Sequence, residues 1–169
     1  MTIWLLADTH FGHTAMEILC DRPVGFEERI LKNARRLIGI NDVLLHLGDF
    51  CIGHDAEWHR MFMEALPETS RKWLVKGNHD RQSFGWYMAH GWDLVADEIR
   101  LTIFGKNIIF SHKPRMVRYF GEFDLNIHGH HHNTRHHPED MTTCSHILIF
   151  PEHEYRPVNL RKIVETFNG

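Results

Sequence analysis

Val43-Leu44-Leu45-His46-Leu47-Gly48-Asp49 decides the fold, because an apolar run of strand length stops abruptly on a glycine and a carboxylate. The same event recurs on both sides of it. Ile3 to Ala7 runs into Asp8-Thr9-His10, Trp73 to Val75 into Gly77-Asn78-His79-Asp80, Ile108 to Phe110 into Ser111-His112, and Leu125 to Ile127 into Gly129-His130-His131-His132. Ile147 to Phe150 reads as one more buried strand. Helical patterns lie between these runs. Ile30, Leu31, Ala34, Leu37 and Ile38 recur at helical spacing within Phe26 to Ile40, a second pattern covers Ala56 to Leu66 and stops at Pro67, a third follows Asp80, and Asn159 to Phe167 reads as a last amphipathic helix. Residues 94 to 110 alternate like an antiparallel pair with Gly105-Lys106 at the turn. Strand and helix alternating, then a strand-rich second half, predict an α/β layered sandwich in one domain spanning residues 1 to 169, with Asn133 to Thr143 as its longest loop.

Composition narrows the class. With 43% hydrophobic and 24% charged residues, the 169-residue chain is neither disordered nor collagenous nor a coiled coil. A formal net charge of −3 gives no global field to steer nucleic acid or an anionic membrane. Cys20, Cys51 and Cys144 are widely spaced, fitting reduced thiols and not a disulfide framework. The apolar start, Ile3 to Ala7, meets Asp8 too soon for a secretory signal, and there is no long apolar run; a soluble, cytoplasmic chain is expected. Histidine is the anomaly. There are 16, and His128, His130, His131, His132, His136 and His137 crowd into ten positions.

In open α/β sheets the loops beyond strand carboxyl ends gather at one place, so the five polar blocks can converge. Asp8 and His10 are two apart, and an extended segment would send both side chains to one face; His130 and His132 share that spacing, while His131 should point away. Carboxylate, imidazole and amide oxygen with no thiolate suit Mn, Fe, Zn, Co or Ni. Seven such donors exceed one ion's needs. Two ions sharing a carboxylate are the economical arrangement, and such a pair can clamp the oxygens of a phosphoryl displacement.

The ordered blocks DxH, GD, GNHD, H and GHxH, spanning residues 8 to 132, resemble the calcineurin-like metallophosphoesterases, particularly their small members without a cap domain. The resemblance implies a four-layer α/β/β/α sandwich of mixed sheets with a dinuclear site at one edge. It implies that Asp8, His10, Asp49 and His132 hold one ion, and that Asp49 bridges to a second completed by Asn78, His112 and His130. It further implies attack by a metal-bridging hydroxide on a phosphomonoester or phosphodiester, with His79 as general acid; imidazole is the side chain that exchanges protons near neutral pH. A small phosphorylated molecule or nucleotide is the implied partner, with no membrane and with nucleic acid not favoured by charge. A nuclease or cyclic-nucleotide phosphodiesterase is the alternative. A non-catalytic scaffold, as in the retromer subunit that resembles this family, would predict a degraded ligand set, and no position is missing here.

Gly48-Asp49-Phe50-Cys51-Ile52-Gly53 lacks the second Asp and the Arg of the GDxVDRG block of protein Ser/Thr phosphatases, which speaks against phosphoprotein substrates and leaves no obvious partner for His79. Asp80 is read as either a partner behind the ligands or a helix N-cap. His13, Arg22, Lys113 and Arg115 are candidate phosphate contacts, with Arg118 extending the basic stretch. For Arg22 a surface ion pair is the plainer alternative, and for the others a solvated face. His46 and His128 are read as packed or hydrogen-bonded, His136 and His137 as loop residues without a role, and the five tryptophans as core or site wall.

Overall fold

In the computed structural model, which describes residues 1–115, 123–132, 145–152 and 154–167, the Val43 run forms strand β2 (Val43–His46), buried at every position. Burial on both faces is why it reads as continuous apolar sequence and does not alternate. It pairs in parallel with β1 (Ile3–Leu6) on one side and β3 (Arg71–Val75) on the other, with Leu5, Leu45 and Trp73 in register. β4 (Leu94–Ala96) continues the parallel order beyond β3, and the antiparallel β9 (Val158–Asn159) closes the edge beside β1. The second sheet runs β5 (Glu98–Ile103), β6 (Lys106–Ser111), β7 (Leu125–His128), β8 (Ser145–Leu148), antiparallel between its first two strands and parallel thereafter. Both sheets are therefore mixed, as expected. In the hairpin, Ile103 pairs with Lys106, so the turn is Phe104-Gly105, one residue earlier than expected. Both turn residues have positive φ, 53° and 74°, which a two-residue turn matching the strand twist demands.

Among the described residues five helices accompany the sheets: α1 (Met16–Leu19), α2 (Phe26–Leu37), α3 (Asp55–Ala65), α4 (Phe84–Ala89) and α5 (Leu160–Phe167). The one-turn α1 has no signal in the sequence because its four residues span little more than one helical period, too few for a pattern to repeat. α2 ends at Leu37, three residues before its expected limit, because Ile38 is already extended. α4 is capped by Ser83, whose Oγ accepts from the Trp86 N–H at 3.1 Å, and Asp80 is thereby free of the capping role that was one of its two readings.

Side chains alternating off the first sheet build two cores. Leu6, Leu44 and Leu74 pack with Phe26, Ile30 and Ala34 of α2, Phe62 of α3 and Tyr87 of α4. Leu5, Val43, Leu45 and Val75 face the second sheet and meet Ile108, Phe110, Leu125 and Ile127, joined by Leu160 and Val164 of α5. Trp92 is buried and Trp4, Trp58, Trp73 and Trp86 pack against these clusters, so all five tryptophans are core, as expected. Truncating a fully buried leucine such as Leu44 or Leu45 costs roughly 2–5 kcal/mol. That is comparable to a large part of a domain's net stability, so both faces of β2 are under strong packing constraint. The two sheets place the ends of β1, β2, β3, β6 and β7 at a common edge. Among the described residues no helix is long and apolar enough to cross a membrane.

Candidate metal centre

The loop after β1 does not leave the sheet at once. Asp8 N–H donates to Gly48 O at 2.9 Å, His10 N–H to Asp49 O at 3.0 Å and Phe11 N–H to Phe50 O at 2.9 Å, so the Asp8 and Asp49 loops travel side by side. Yet Asp8, His10, Asp49, His130 and His132 all have left-handed backbone, with φ of 50°, 48°, 54°, 75° and 48°. The expected strand alternation is thus corrected: left-handed residues in the loops, not an extended segment, bring Asp8 and His10 together. Each such residue costs about 1–2 kcal/mol, and strain of this kind persists only where surrounding contacts enforce it.

Asp80 is one enforcer. Its buried carboxylate accepts from Asp49 N–H and Gly77 N–H, both at 2.8 Å, and from Phe50 N–H at 3.0 Å, tying the Gly77-Asn78-His79 turn to the Asp49 turn. Burial raises its pKa, with these three donors acting against that rise. Arg22 is another. Its side chain is fully buried, with Nη1 donating to Thr9 O at 2.8 Å, Nη2 to Asp8 O at 2.7 Å and Nε to Glu152 Oε1 at 2.8 Å. Arg22 does make an ion pair, with Glu152, but a buried one and not a surface one, and its guanidinium is committed to that carboxylate and to the carbonyls of Asp8 and Thr9 beneath the site. Gly77 is required by close approach, since a Cβ there would lie 2.2 Å from Asp49 Oδ1.

Each aspartate divides its oxygens. Asp8 Oδ2 accepts from His130 N–H at 2.8 Å and Asp49 Oδ1 from His79 N–H at 2.8 Å, leaving Asp8 Oδ1 and Asp49 Oδ2 to face inward. Two groups result, Asp8 with His10 and His132, and Asp49 with His112 and His130, the ligand atoms of each lying within 4.8 Å of one another. Asp49 Oδ2 stands between them, 3.7 Å from His10 Nε2 and 3.3 Å from His112 Nε2. His112 Nδ1 is 2.9 Å from Leu47 O and must donate to it, which turns Nε2 toward Asn78 Oδ1 at 3.0 Å and His130 Nδ1 at 3.1 Å.

Burial pushes the Asp8 carboxyl up to about 7, against the pull of His112 and His132. Burial likewise holds His10 at about 2 and His130 at about 4, both neutral imidazoles. Burial would also raise Asp49, but hydrogen bonding and charge from His112 outweigh it and hold the carboxyl well below its usual range. His112 rises despite burial because Asp49 and Asp8 favour its charged form. The site is therefore short of positive charge. Asp8 Oδ1 and both ring nitrogens of His10 are buried with no hydrogen-bond partner, and such orphans cost about 1–3 kcal/mol each. Nitrogen and oxygen donors left bare in this way fit divalent cations such as Mn, Fe, Zn, Co or Ni.

The remaining candidates separate by position. His79 stands at the mouth, its side chain 37% exposed, Nε2 3.9 Å from Asp49 Oδ2 and its ring edge-on to His10 at 5.3 Å. His13 lies beyond His10, ring centroids 5.5 Å apart. Lys113 is exposed and near enough to His130 to lower its pKa. Arg115 is paired instead with Glu98 at 3.1 Å. His46 is fully buried, with Nε2 3.0 Å from Thr9 Oγ1 and Nδ1 accepting from Gly48 N–H, and His128 is buried with Nδ1 2.9 Å from Gly129 O; both are hydrogen-bonded core residues, as expected. His131 belongs to neither group. Arg118, His136, His137, Cys144 and the Asn133 to Thr143 loop lie outside the described residues. Glu152, beside Arg22 and 3.6 Å from His132 Nδ1, had no signal in the sequence.

Two facing mixed sheets whose strand ends meet at a carboxylate-histidine cluster define an α/β sandwich with a candidate metal centre at one edge. The Calcineurin-like phosphoesterase superfamily domain matches residues 1–151, and the chain belongs to that superfamily. An uncharacterized protein of Methanocaldococcus jannaschii is 29% identical over 137 residues, covering 77% of this chain and 69% of that one. The crystal structure of a protein of unknown function from Aquifex aeolicus superposes with a TM-score of 0.80 at 29% identity, covering 98% of each chain. Nuclease MPE of Pseudomonas putida shares the fold at 22% identity and a TM-score of 0.51, over 77% of this chain and 61% of that one.

Proposed function

We propose that the chain hydrolyses phosphoric esters with two divalent cations, one held by Asp8, His10, Asp49 and His132 and the other by Asp49, Asn78, His112 and His130. The observation that carries this is the position of Asp49 Oδ2, within 3.7 Å of His10 Nε2 and 3.3 Å of His112 Nε2, where one carboxylate serves both groups. Cations so placed supply Lewis acidity toward phosphoryl oxygens and a hydroxide nucleophile at neutral pH. The protein's own contribution is positioning. Asp8 and Asp49 each spend one oxygen on a loop N–H and aim the other inward, so the donors are preorganised by backbone contacts. His79, half-exposed at the mouth, protonates the departing oxygen, while Lys113 and His13 flank the same opening and contact the substrate phosphate.

A substrate panel on protein of measured metal content tests the proposal. p-Nitrophenyl phosphate, its bis ester, cyclic nucleotides and single- and double-stranded nucleic acid are each assayed with Mn, Ni, Co, Zn and Fe. Turnover of one ester class with at least one metal is expected, and the panel separates a small phosphomonoester from a phosphodiester or nucleic acid substrate. Inactivity on every member at about two ions per chain would overturn it.

A further inference from the structure

Beneath His132 lies a buried cluster that reaches past the matched family segment, which ends at residue 151. It consists of Arg22, Glu152 and Cys20. We propose that Glu152 is a positioning residue for His132, its carboxylate accepting the Nδ1–H and so selecting the tautomer whose Nε2 lone pair faces Asp8. This rests on the metal-centre reading given above.

Ligation through Nε2 requires the Nδ1–H tautomer. Arg22 Nη2 lies 3.4 Å from His132 Nδ1 and could in principle donate to it. But a guanidinium NH2 has two hydrogens, and Nη2 meets Asp8 O at 2.7 Å and Glu152 Oε1 at 2.7 Å. The Asp8 contact is a hydrogen bond, and the 2.7 Å Glu152 contact is an ion pair to the oxygen that Nε–H already reaches. A lone pair free on Nε2 for a cation requires the ring proton on Nδ1, and the carboxylate oxygen facing it is Glu152 Oε1 at 3.6 Å. Acceptor capacity remains, because Glu152 Oε2 is buried with no hydrogen-bond partner. On its other edge, His132 Nε2 lies 3.8 Å from Asp8 Oδ1.

Cys20, His132 and Glu152 also place ligand atoms within 4.8 Å of one another, so a cation could be imagined there. Arg22 argues against it. Its guanidinium already supplies a fixed positive charge to Glu152, and a second cation beside it would be repelled. Burial and the neighbouring Glu152 also push the Cys20 thiol up to about 11, keeping it a protonated thiol. Carboxylates that accept the far N–H of a ligating histidine raise its basicity and fix its ring, and Arg22 in turn holds Glu152 while clamping Asp8 O.

Long-range proton–nitrogen NMR of metal-free protein, with His132 assigned by comparison with His132→Asn, reads the tautomer directly. Wild type is expected to carry the proton on Nδ1. In Glu152→Gln it should redistribute toward Nε2, because an amide can donate as well as accept whereas a carboxylate only accepts. Calorimetric titration with Mn or Zn should show one of the two ions bound about 10–100-fold more weakly in Glu152→Gln, with the other unchanged. Glu152→Asp should restore part of the loss. A wild-type proton on Nε2, or a variant with wild-type tautomer and affinities, overturns the proposal. Should Glu152→Gln not fold, the wild-type spectrum decides alone. Failure of the metal reading is seen separately, as wild type that binds no divalent cation.

Discussion

The backbone N–H of His130 donates to Oδ2 of Asp8 at 2.8 Å, joining the first sheet to the second across 122 positions of sequence. This one bond sets the distance between the two loops that carry the Asp8 and His130 donors, and it turns the other oxygen of Asp8 toward His132. The approach is close enough that a Cβ on Gly129 would lie 2.4 Å from Asp8 Oδ2 and 2.9 Å from Ala7 Cβ.

Gly129→Ala is therefore expected to push the sheets' ends apart. Overpacking of this kind costs about 1–3 kcal/mol, and here it also displaces Asp8. Chemical denaturation should show a lower midpoint, and metal analysis after dialysis should show fewer ions per chain. Wild-type midpoint and metal content together would mean the bond is not a constraint.

Asp49 Oδ2 lies 3.7 Å from His10 Nε2 and 3.3 Å from His112 Nε2, so under the proposed two-ion arrangement Asp49→Asn should remove detectable turnover and weaken both ions in parallel. Ion-by-ion titration checks this. Loss of only one ion would assign Asp49 to a single group and remove the shared carboxylate from the mechanism.

His79 holds no place in either ligand group. His79→Ala should cut turnover by about 10²–10⁴-fold with metal content intact. The loss should be large for an alkyl ester and small for a p-nitrophenyl ester, whose leaving group needs little protonation. Equal losses for the two leaving groups would argue for a role other than proton donation.

His59 is fully buried between Phe50, Trp86 and Trp92, with Nδ1 accepting from Trp92 Nε1–H at 2.9 Å. Burial, countered by Asp55 and reinforced by His90, lowers its pKa to about 4. The unfolded chain, at about 6.5, takes up the proton first. Stability from the neutral ring is thus complete above pH 6.5 and is lost as pH falls toward 4, on the order of 2 kcal/mol by pH 5. The pH dependence of the urea midpoint should be shallower over that window in His59→Asn than in wild type.

Removing the cations should destabilise the fold, since Asp8 Oδ1 and the His10 nitrogens then stay buried without partners. Saturating one site at 100 times its Kd stabilises by about 2.7 kcal/mol. A higher Tm with Mn or Zn than with chelator is expected in wild type and should vanish in a variant with both Asp8→Asn and Asp49→Asn.

Much of this was legible in the chain. Strands β1, β2, β3, β6 and β7 showed as apolar runs because both faces of each sheet's centre are covered, and each polar block marked where a run reached the edge. Asp8, His10, Asp49, Asn78, His112, His130 and His132 could be picked out by residue type and order. Three things were not legible. The left-handed backbone at Asp8, His10 and Asp49 is imposed by hydrogen bonds to other loops. The roles of Asp80 and Arg22 depend on the backbone groups they reach. Glu152 meets Arg22 across 130 positions, with no periodicity or motif to announce the pair.

Local chemistry accounts for the division. The sequence by itself determined which segments are strands, which residue types stand at their ends and that these donors suit divalent cations, because burial periodicity and ligand type are properties of short stretches. Only the tertiary structure decided how those donors are aimed. That depends on which carbonyl or carboxylate a distant loop presents, as Arg22 reaches Asp8 O, His130 reaches Asp8 Oδ2 and Glu152 receives Arg22. Such contacts are long-range hydrogen bonds, whose partners the folded sheets bring together.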